Sequence, residues 1–153
     1  MKVLVQRVSR ASVKVDGHSV GDIGRGFLAL VGCRKGDTEA DARLLAHKTC
    51  NLRIFPDADD KMNLALDAVQ GSVLAVSQFT LYADTRKGNR PSFVEAADPA
   101  LAEALYQVYV DALRQGLGNG RVATGVFRTV MSVELVNEGP VTIELNTDIT
   151  GTP

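Results

Sequence analysis

The sequence predicts one α+β domain over residues 1–153, with a mainly antiparallel sheet and two main helices. Two observations carry that prediction. Strand-length apolar runs bounded by turn residues recur along the whole chain, and two longer amphipathic segments with N-cap signals interrupt them. The helical segments do not alternate strictly with the strands, which sets the pattern apart from a βαβ repeat. A length of 153 residues suits a single domain whose core needs no metal or disulfide staple.

Residues 2–8 hold Val3, Leu4, Val5 and Val8 and read as the first strand. Val13 and Val15 alternate with Ser12 and Lys14. Asp16-Gly17 is a hairpin turn signal, and Ser19 to Ile23 is the return strand. Phe27 to Val31 is a continuous apolar run between glycines, the pattern of a buried strand. Asp37 reads as the N-cap of the first helix. Glu39 and Asp41 follow at the positive end of its dipole, and Lys48 lies near the negative end. Leu44 and Leu45 are assigned to the core, and Asn51 to the helix end. Leu52 to Phe55 reads as a short strand, Pro56 to Asn63 as a polar turn, Ser72 to Phe79 as a central strand and Asp84 to Ser92 as an irregular basic loop. Asp98-Pro99 supplies an N-cap and a first-turn proline for the second helix. Leu101, Leu105, Val108 and Ala112 form its apolar stripe, and Gly116 or Gly118 ends it. Arg121 to Phe127, Met131 to Val136 and Val141 to Leu145 are the last strands, with Thr147 to Pro153 as a loose tail.

The net charge of −1 and pI near 6.1 exclude a chain that grips nucleic acid by bulk charge; any such contact needs a local basic patch. No apolar run is long enough to span a bilayer, and residues 1–10 lack the apolar segment and cleavage site of a signal peptide. Cys33 and Cys50 read as small core residues in a reduced, cytoplasmic setting. There is no Gly-x-Ser-x-Gly elbow, P-loop or Gly-x-Gly-x-x-Gly, and the widely spaced His18, His47, Cys33 and Cys50 make no zinc pattern. Neither a metal nor a cofactor is expected.

Two segments carry the chemistry. In Ser77-Gln78-Phe79-Thr80 the apolar run Val73 to Val76 gives way to hydroxyl, amide, aromatic and hydroxyl. A plain strand end explains this, with hydroxyls bonded to backbone. A strand leaving its ladder also exposes backbone N–H groups that can stabilise an oxyanion. No His or Lys lies nearby in sequence to activate Ser77 or Thr80 as a nucleophile. In Asn137-Glu138-Gly139-Pro140-Val141-Thr142 a Gly-Pro pair separates two apolar runs, which reads as a turn. Arg86, Lys87 and Arg90 put three bases into five residues, either a solvated loop or a grip on phosphates.

Together the Ser-Gln-x-x-Leu and Asn-x-Gly-Pro-Val-Thr cores resemble the paired motifs of the D-aminoacyl-tRNA deacylases. The resemblance runs nearly the full length, from Met1-Lys2-Val3-Leu4-Val5-Gln6-Arg7-Val8 through Val13 to Gly17, Gly26 to Gly32, Asn51-Leu52-Arg53-Ile54-Phe55 and Met62-Asn63. It implies a barrel-like β core flanked by helices and a homodimer. It also implies hydrolysis of the ester joining a D-amino acid to the 3′-terminal adenosine of tRNA. In such a site a cis Gly139-Pro140 pair from one subunit enters the other's pocket, accepts the substrate's amino group and blocks an L side chain; glycine, lacking a side chain, would pass. Ser77, Gln78, Phe79 and Thr80 would form the catalytic segment, with backbone donors from Gln78 and Phe79. Met131 and Arg7 would belong to the substrate side, Arg7 as an anchor of the Gly-Pro turn, and Arg86, Lys87 and Arg90 would hold tRNA. Either Thr80 attacks, or the 2′-hydroxyl of the terminal ribose activates water; the missing base favours the latter. One departure stands out: where the family usually reads Phe-Gly-Ala, this chain reads Phe127-Arg128-Thr129. The rival readings are an RNA-binding protein without turnover and a hydrolase of small esters or amides.

Overall fold

The computed structural model describes residues 1–149. A mixed six-stranded sheet curls into a nearly closed barrel, and two helices pack together on its outside. Strand β1 spans Lys2–Val15, β2 His18–Ile23, β3 Gly26–Gly32, β6 Ser72–Ser77, β7 Val122–Thr124 and β8 Ser132–Asn146; β4 (Phe55–Pro56) and β5 (Met62–Leu64) form a separate small hairpin. The sheet order is β2-β1-β3-β6-β7, with β8 along the other side of β1. The end strand β2 lies against β6 and β7, which nearly closes the barrel.

The two strands read at the N-terminus are one. Their buried residues run Val3, Val5, then Val8, then Ala11 and Val13, so the alternation slips phase twice. The slips coincide with register shifts against β8 on both sides of Val8. Before the slips β1 faces the core beneath the helices; after them it faces the barrel interior with Leu28, Leu74 and Val76. Strands β3 and β6 serve both cores at once: Phe27, Ala29, Val73 and Ala75 point to the helices, Leu28 and Leu74 into the barrel. That is why both read as unbroken apolar runs.

Pairings around β1 are antiparallel, but β3–β6 and β6–β7 are parallel. Helix α1 (Glu39–Asn51) lies between β3 and β6, and α2 (Pro99–Leu117) between β6 and β7. Each supplies the long crossover that a parallel pair requires. The N-cap of α1 is Thr38 rather than Asp37. Thr38 and Asp41 form a reciprocal capping box. Asp37 is committed elsewhere: its buried carboxylate accepts from the Met1 ammonium at 2.6 Å and from the Arg34 N–H at 2.8 Å. Leu45 is in the core, but Leu44 faces solvent, because Ala42, Leu45, Ala46 and Thr49 make the inward face of α1. The buried face of α2 runs Ala102, Leu105, Tyr106, Tyr109, Val110, Leu113 and Leu117, rotated from the stripe read in the sequence. The two tyrosines belong inside because their hydroxyls find partners, Tyr106 with the Ala75 carbonyl at 2.8 Å and Tyr109 with Thr49 at 2.9 Å. Gly118 ends the helix.

Three further expectations change. Pro56 to Asn63 is not all turn, since Pro56 and residues 62–64 pair in the small hairpin. The segment Arg121 to Phe127 keeps only three residues of strand. The tail begins ordered: Thr147–Ile149 is a 3-10 turn, and the Thr147 N–H donates to the Met1 carbonyl. Residues 150–153 of that tail lie outside the described residues. Among the described residues no helix is long and apolar enough to cross a membrane.

Candidate active site

Strand β6 stops being core at Val76. Ser77 still pairs with Val31, and Gln78 spends its N–H on the Val31 carbonyl at 2.7 Å. The chain then turns into a short 3-10 segment, Phe79–Tyr82, closed by Leu81 N–H to Gln78 and Ala83 N–H to Thr80. The first N–H groups of such a turn have no acceptor within it. Here those are Phe79 and Thr80, and neither donates to another described residue. Of the donor pair expected from Gln78 and Phe79, the Gln78 N–H is spent in the ladder to β3 and the Phe79 N–H is not. Gly32 makes the turn possible: a Cβ there would sit 3.0 Å from Leu81 Cβ and 3.1 Å from the Gln78 carbonyl oxygen.

Beside this turn lies a cavity of about 630 Å³. Ser77, Gln78 and Phe79 form one wall, and Arg128, Thr129, Val130 and Met131 another. Val76 and Val133 also line it, as do Ala97 just before α2 and Pro99 and Ala102 in its first turns. Thr80 sits at the head of the turn, exposed, with the Gln78 side-chain amide donating to its hydroxyl oxygen. No His, Lys or carboxylate bonds to it among the described residues, and His18 and His47 are both exposed in other elements. Two cavity-wall residues are apolar yet open, Phe79 at 54% and Val130 at 93% exposure. Tyr82, closing the turn, has a buried hydroxyl with no hydrogen-bond partner among the described residues; desolvation pushes its pKa up. Burial likewise pushes the neighbouring Cys33 thiol up to about 12.

The basic loop is anchored to the same turn. Asp84 and Ser92 exchange backbone hydrogen bonds at 2.8 Å, and Phe93 packs edge-on against Phe79 with ring centroids 5.0 Å apart. Arg86 is already engaged: its guanidinium holds the Asp84 carboxylate at 2.7 and 2.9 Å, and those bonds draw the Asp84 pKa down to about 2. Lys87 and Arg90 are exposed and have no acidic partner among the described residues.

Gly139-Pro140 is not a turn between two strands. Strand β8 runs straight through it, pairing with β1 at Thr142↔Gln6 on one side and Asn137↔Val8 on the other. Residues 138–141 bulge outward opposite Arg7 alone. The Gly139–Pro140 bond is cis, Gly139 has φ +139, and both residues are exposed. Arg7, mostly buried, fixes the bulge by donating from Nε to the Glu138 carbonyl at 2.8 Å and from Nη1 to the Ile54 carbonyl. Arg25 approaches the Glu138 carboxylate at 3.5 Å.

Within one chain the two motifs stay apart. The bulge is level with Arg7, Phe27 and Val73, whereas Ser77 is level with Val31 and Val3. Four residues along and three strands across make roughly 20 Å. The structure thus groups Ser77, Gln78, Phe79, Thr80 and Met131 at one place and Gly139, Pro140 and Arg7 at another. Sequence reasoning missed Phe93 and the small residues Ala97, Pro99 and Ala102. Asp98-Pro99 was legible only as a helix start, and nothing local says which cavity a helix start borders. No group of three or more His, Cys, Asp or Glu suited to a metal occurs among the described residues.

Residues 4–146 match the family described as D-Tyr-tRNA(Tyr) deacylase. A D-aminoacyl-tRNA deacylase of Anaeromyxobacter dehalogenans is 58% identical over 95% of this chain and 97% of its own length. One from Dehalococcoides mccartyi is 55% identical, covering 95% and 94%. Among solved structures, one titled c-Myc DNA Unwinding Element Binding Protein superposes with a TM-score of 0.91 at 39% identity, over 96% of this chain and 99% of that one. A second, titled as a probable eukaryotic D-amino acid tRNA deacylase, has a TM-score of 0.78 at 18% identity and bears on the fold alone. The chain belongs to the D-Tyr-tRNA(Tyr) deacylase family.

Proposed function

We propose that this chain hydrolyses the ester between a D-amino acid and the 3′-terminal adenosine of tRNA, in the cavity beside Ser77–Thr80. The observation that carries the reading is the pair of N–H groups, on the cavity-lining Phe79 and on Thr80 next to it, that donate to no described residue. Water attacks the ester carbonyl, and the charge growing on the carbonyl oxygen is held by these donors. Each such donor contributes roughly 3 kcal/mol to lowering the barrier. Collapse of the tetrahedral species breaks the bond to the ribose 3′ oxygen, which takes up the proton that water gave up. The vicinal 2′-hydroxyl relays that proton, since no protein base among the described residues is bonded to Thr80. An aminoacyl ester is already activated, so positioning and oxyanion stabilisation suffice.

Handedness is read by Gly139 and Pro140 of a second copy. Their carbonyls accept the α-amino group, and their backbone occupies the space an L side chain needs; glycine on tRNA is therefore cleaved too. Three features support this: the bulge is exposed, it is roughly 20 Å from its own cavity, and that cavity has apolar walls still open at Phe79 and Val130. Lys87 and Arg90 approach tRNA phosphates, while Arg86 does so only by leaving Asp84. Charged tRNA is cytoplasmic, which agrees with two unpaired cysteines. The test is deacylation of matched D- and L-tyrosyl-tRNA: the D ester is cleaved and the L ester spared. Equal rates, or no turnover of either, refute the proposal. The DNA-element title of the closely superposed structure favours a second reading, nucleic-acid binding without hydrolysis; binding of D-tyrosyl-tRNA with no turnover would establish it.

A further inference from the structure

Arg128 is a long cation in a backbone conformation that suits glycine. Its φ is +58, in the left-handed region. Four non-glycine residues share that region, and two of them are aspartates, which tolerate it. A third, Gln70, ties its side chain back to the Asp67 carbonyl at 2.8 Å. Arg128 makes no hydrogen bond or ion pair with any described residue. Arg7, Arg25, Arg34, Arg43, Arg86, Arg114 and Arg121 all pair with a carboxylate. Arg128 is exposed, and it lines the same cavity as Ser77–Phe79. No carboxylate lines that cavity, so nothing in its lining competes for the guanidinium.

We infer that Arg128 binds the phosphodiester immediately 5′ of the terminal adenosine and so sets this chain's affinity for the nucleic-acid part of its substrate. The inference rests on the deacylase reading above, since it needs the 3′ end in this cavity. A planar guanidinium with free donors matches two phosphate oxygens. Placed at the rim, it acts on a group common to every tRNA. It therefore tightens binding without choosing between amino acids, and it touches no reacting atom.

The test compares wild type, Arg128→Gly and Arg128→Lys on D-tyrosyl-tRNA and on 3′-O-D-tyrosyl-adenosine, which lacks the phosphate. For the charged tRNA, Arg128→Gly raises KM about tenfold with kcat unchanged. It also flattens the dependence of log KM on log salt by about 0.7. Arg128→Lys recovers part of the affinity and all of the salt slope. On the adenosine ester the three proteins behave alike. An unchanged KM and salt slope in Arg128→Gly overturns the assignment, and so does an equal loss on the phosphate-free ester. A wild-type protein that cleaves neither ester refutes the deacylase reading itself, and the assignment with it.

Discussion

Replacing Gly139 by Ala separates a structural role of the β8 bulge from a functional one. A Cβ at Gly139 would stand 2.8 Å from Val141 Cγ2, 2.9 Å from the Val141 backbone nitrogen and 3.2 Å from Arg7 Nη2. A side-chain rotation relieves the first contact and a small shift of Arg7 the third. The second is with backbone, so the bulge itself must move. The positive φ adds roughly 1–2 kcal/mol for a residue bearing a Cβ, and the overpacking roughly 1–3 kcal/mol. A total of about 2–5 kcal/mol stays below the stability of many domains this size. The variant is expected to fold, with a lower urea midpoint and an unchanged m-value. Catalysis suffers more: a displacement near 1 Å in a positioning element costs about a hundredfold. The assay is kcat/KM on D- and L-tyrosyl-tRNA under conditions where the urea curve shows the variant folded. Unchanged kcat/KM and an unchanged D/L ratio in a folded variant would refute the role given to the bulge.

Thr80→Ala should leave most activity, because the Thr80 backbone N–H survives and, among the described residues, its hydroxyl is bonded only to the Gln78 amide. A terminal 2′-deoxyadenosine should by contrast slow hydrolysis sharply. Loss of turnover in the folded variant, with normal cleavage of the deoxy substrate, would make Thr80 the nucleophile. Asp37→Asn should cost about 3 kcal/mol in urea unfolding, because it leaves the fully buried Met1 ammonium without its counter-charge; a loss below about 1 kcal/mol would show that Thr147 alone satisfies that amine.

What the sequence made legible is local. Capping signals found both helices, with the first cap read one residue early at Asp37, and the Asp16-Gly17 turn found the β1–β2 hairpin, because each is decided within a few residues. The direction of β6 and β7 was not, since strand pairing joins residues far apart in the chain. A clue was nevertheless present: Phe27 to Val31 and Val73 to Val76 are apolar throughout, as strands buried on both faces are. Gly139-Pro140 misled for a physical reason. The pair breaks a ladder wherever it falls, but β1 is long enough to capture β8 on both sides of the break. A local rule therefore reads a turn where a long partner strand imposes a bulge. The same limit hid the fate of Gln78, whose N–H is spent on a carbonyl 47 positions away, at Val31.

That last bond bears on where the proposed chemistry sits. An N–H inside the ladder is already paired and cannot stabilise a developing charge; one beyond it can. In β6 the ladder ends with Gln78, burial falls away from Val76 onward, and the next two N–H groups are unspent. The turn proposed as catalytic therefore begins at the first residue that the ladder no longer uses. The bulge follows the opposite logic. It is held by a dedicated residue, since Arg7 ties the Glu138 carbonyl to that of Ile54 across two elements. The turn is fixed by the β3 ladder and the bulge by Arg7, so the two halves are fixed independently. Loosening Arg7 disturbs the bulge and leaves the Phe79 and Thr80 donors in place, so under the roles proposed above an Arg7 variant is expected to lose discrimination between D and L substrates and to keep the capacity to hydrolyse an ester.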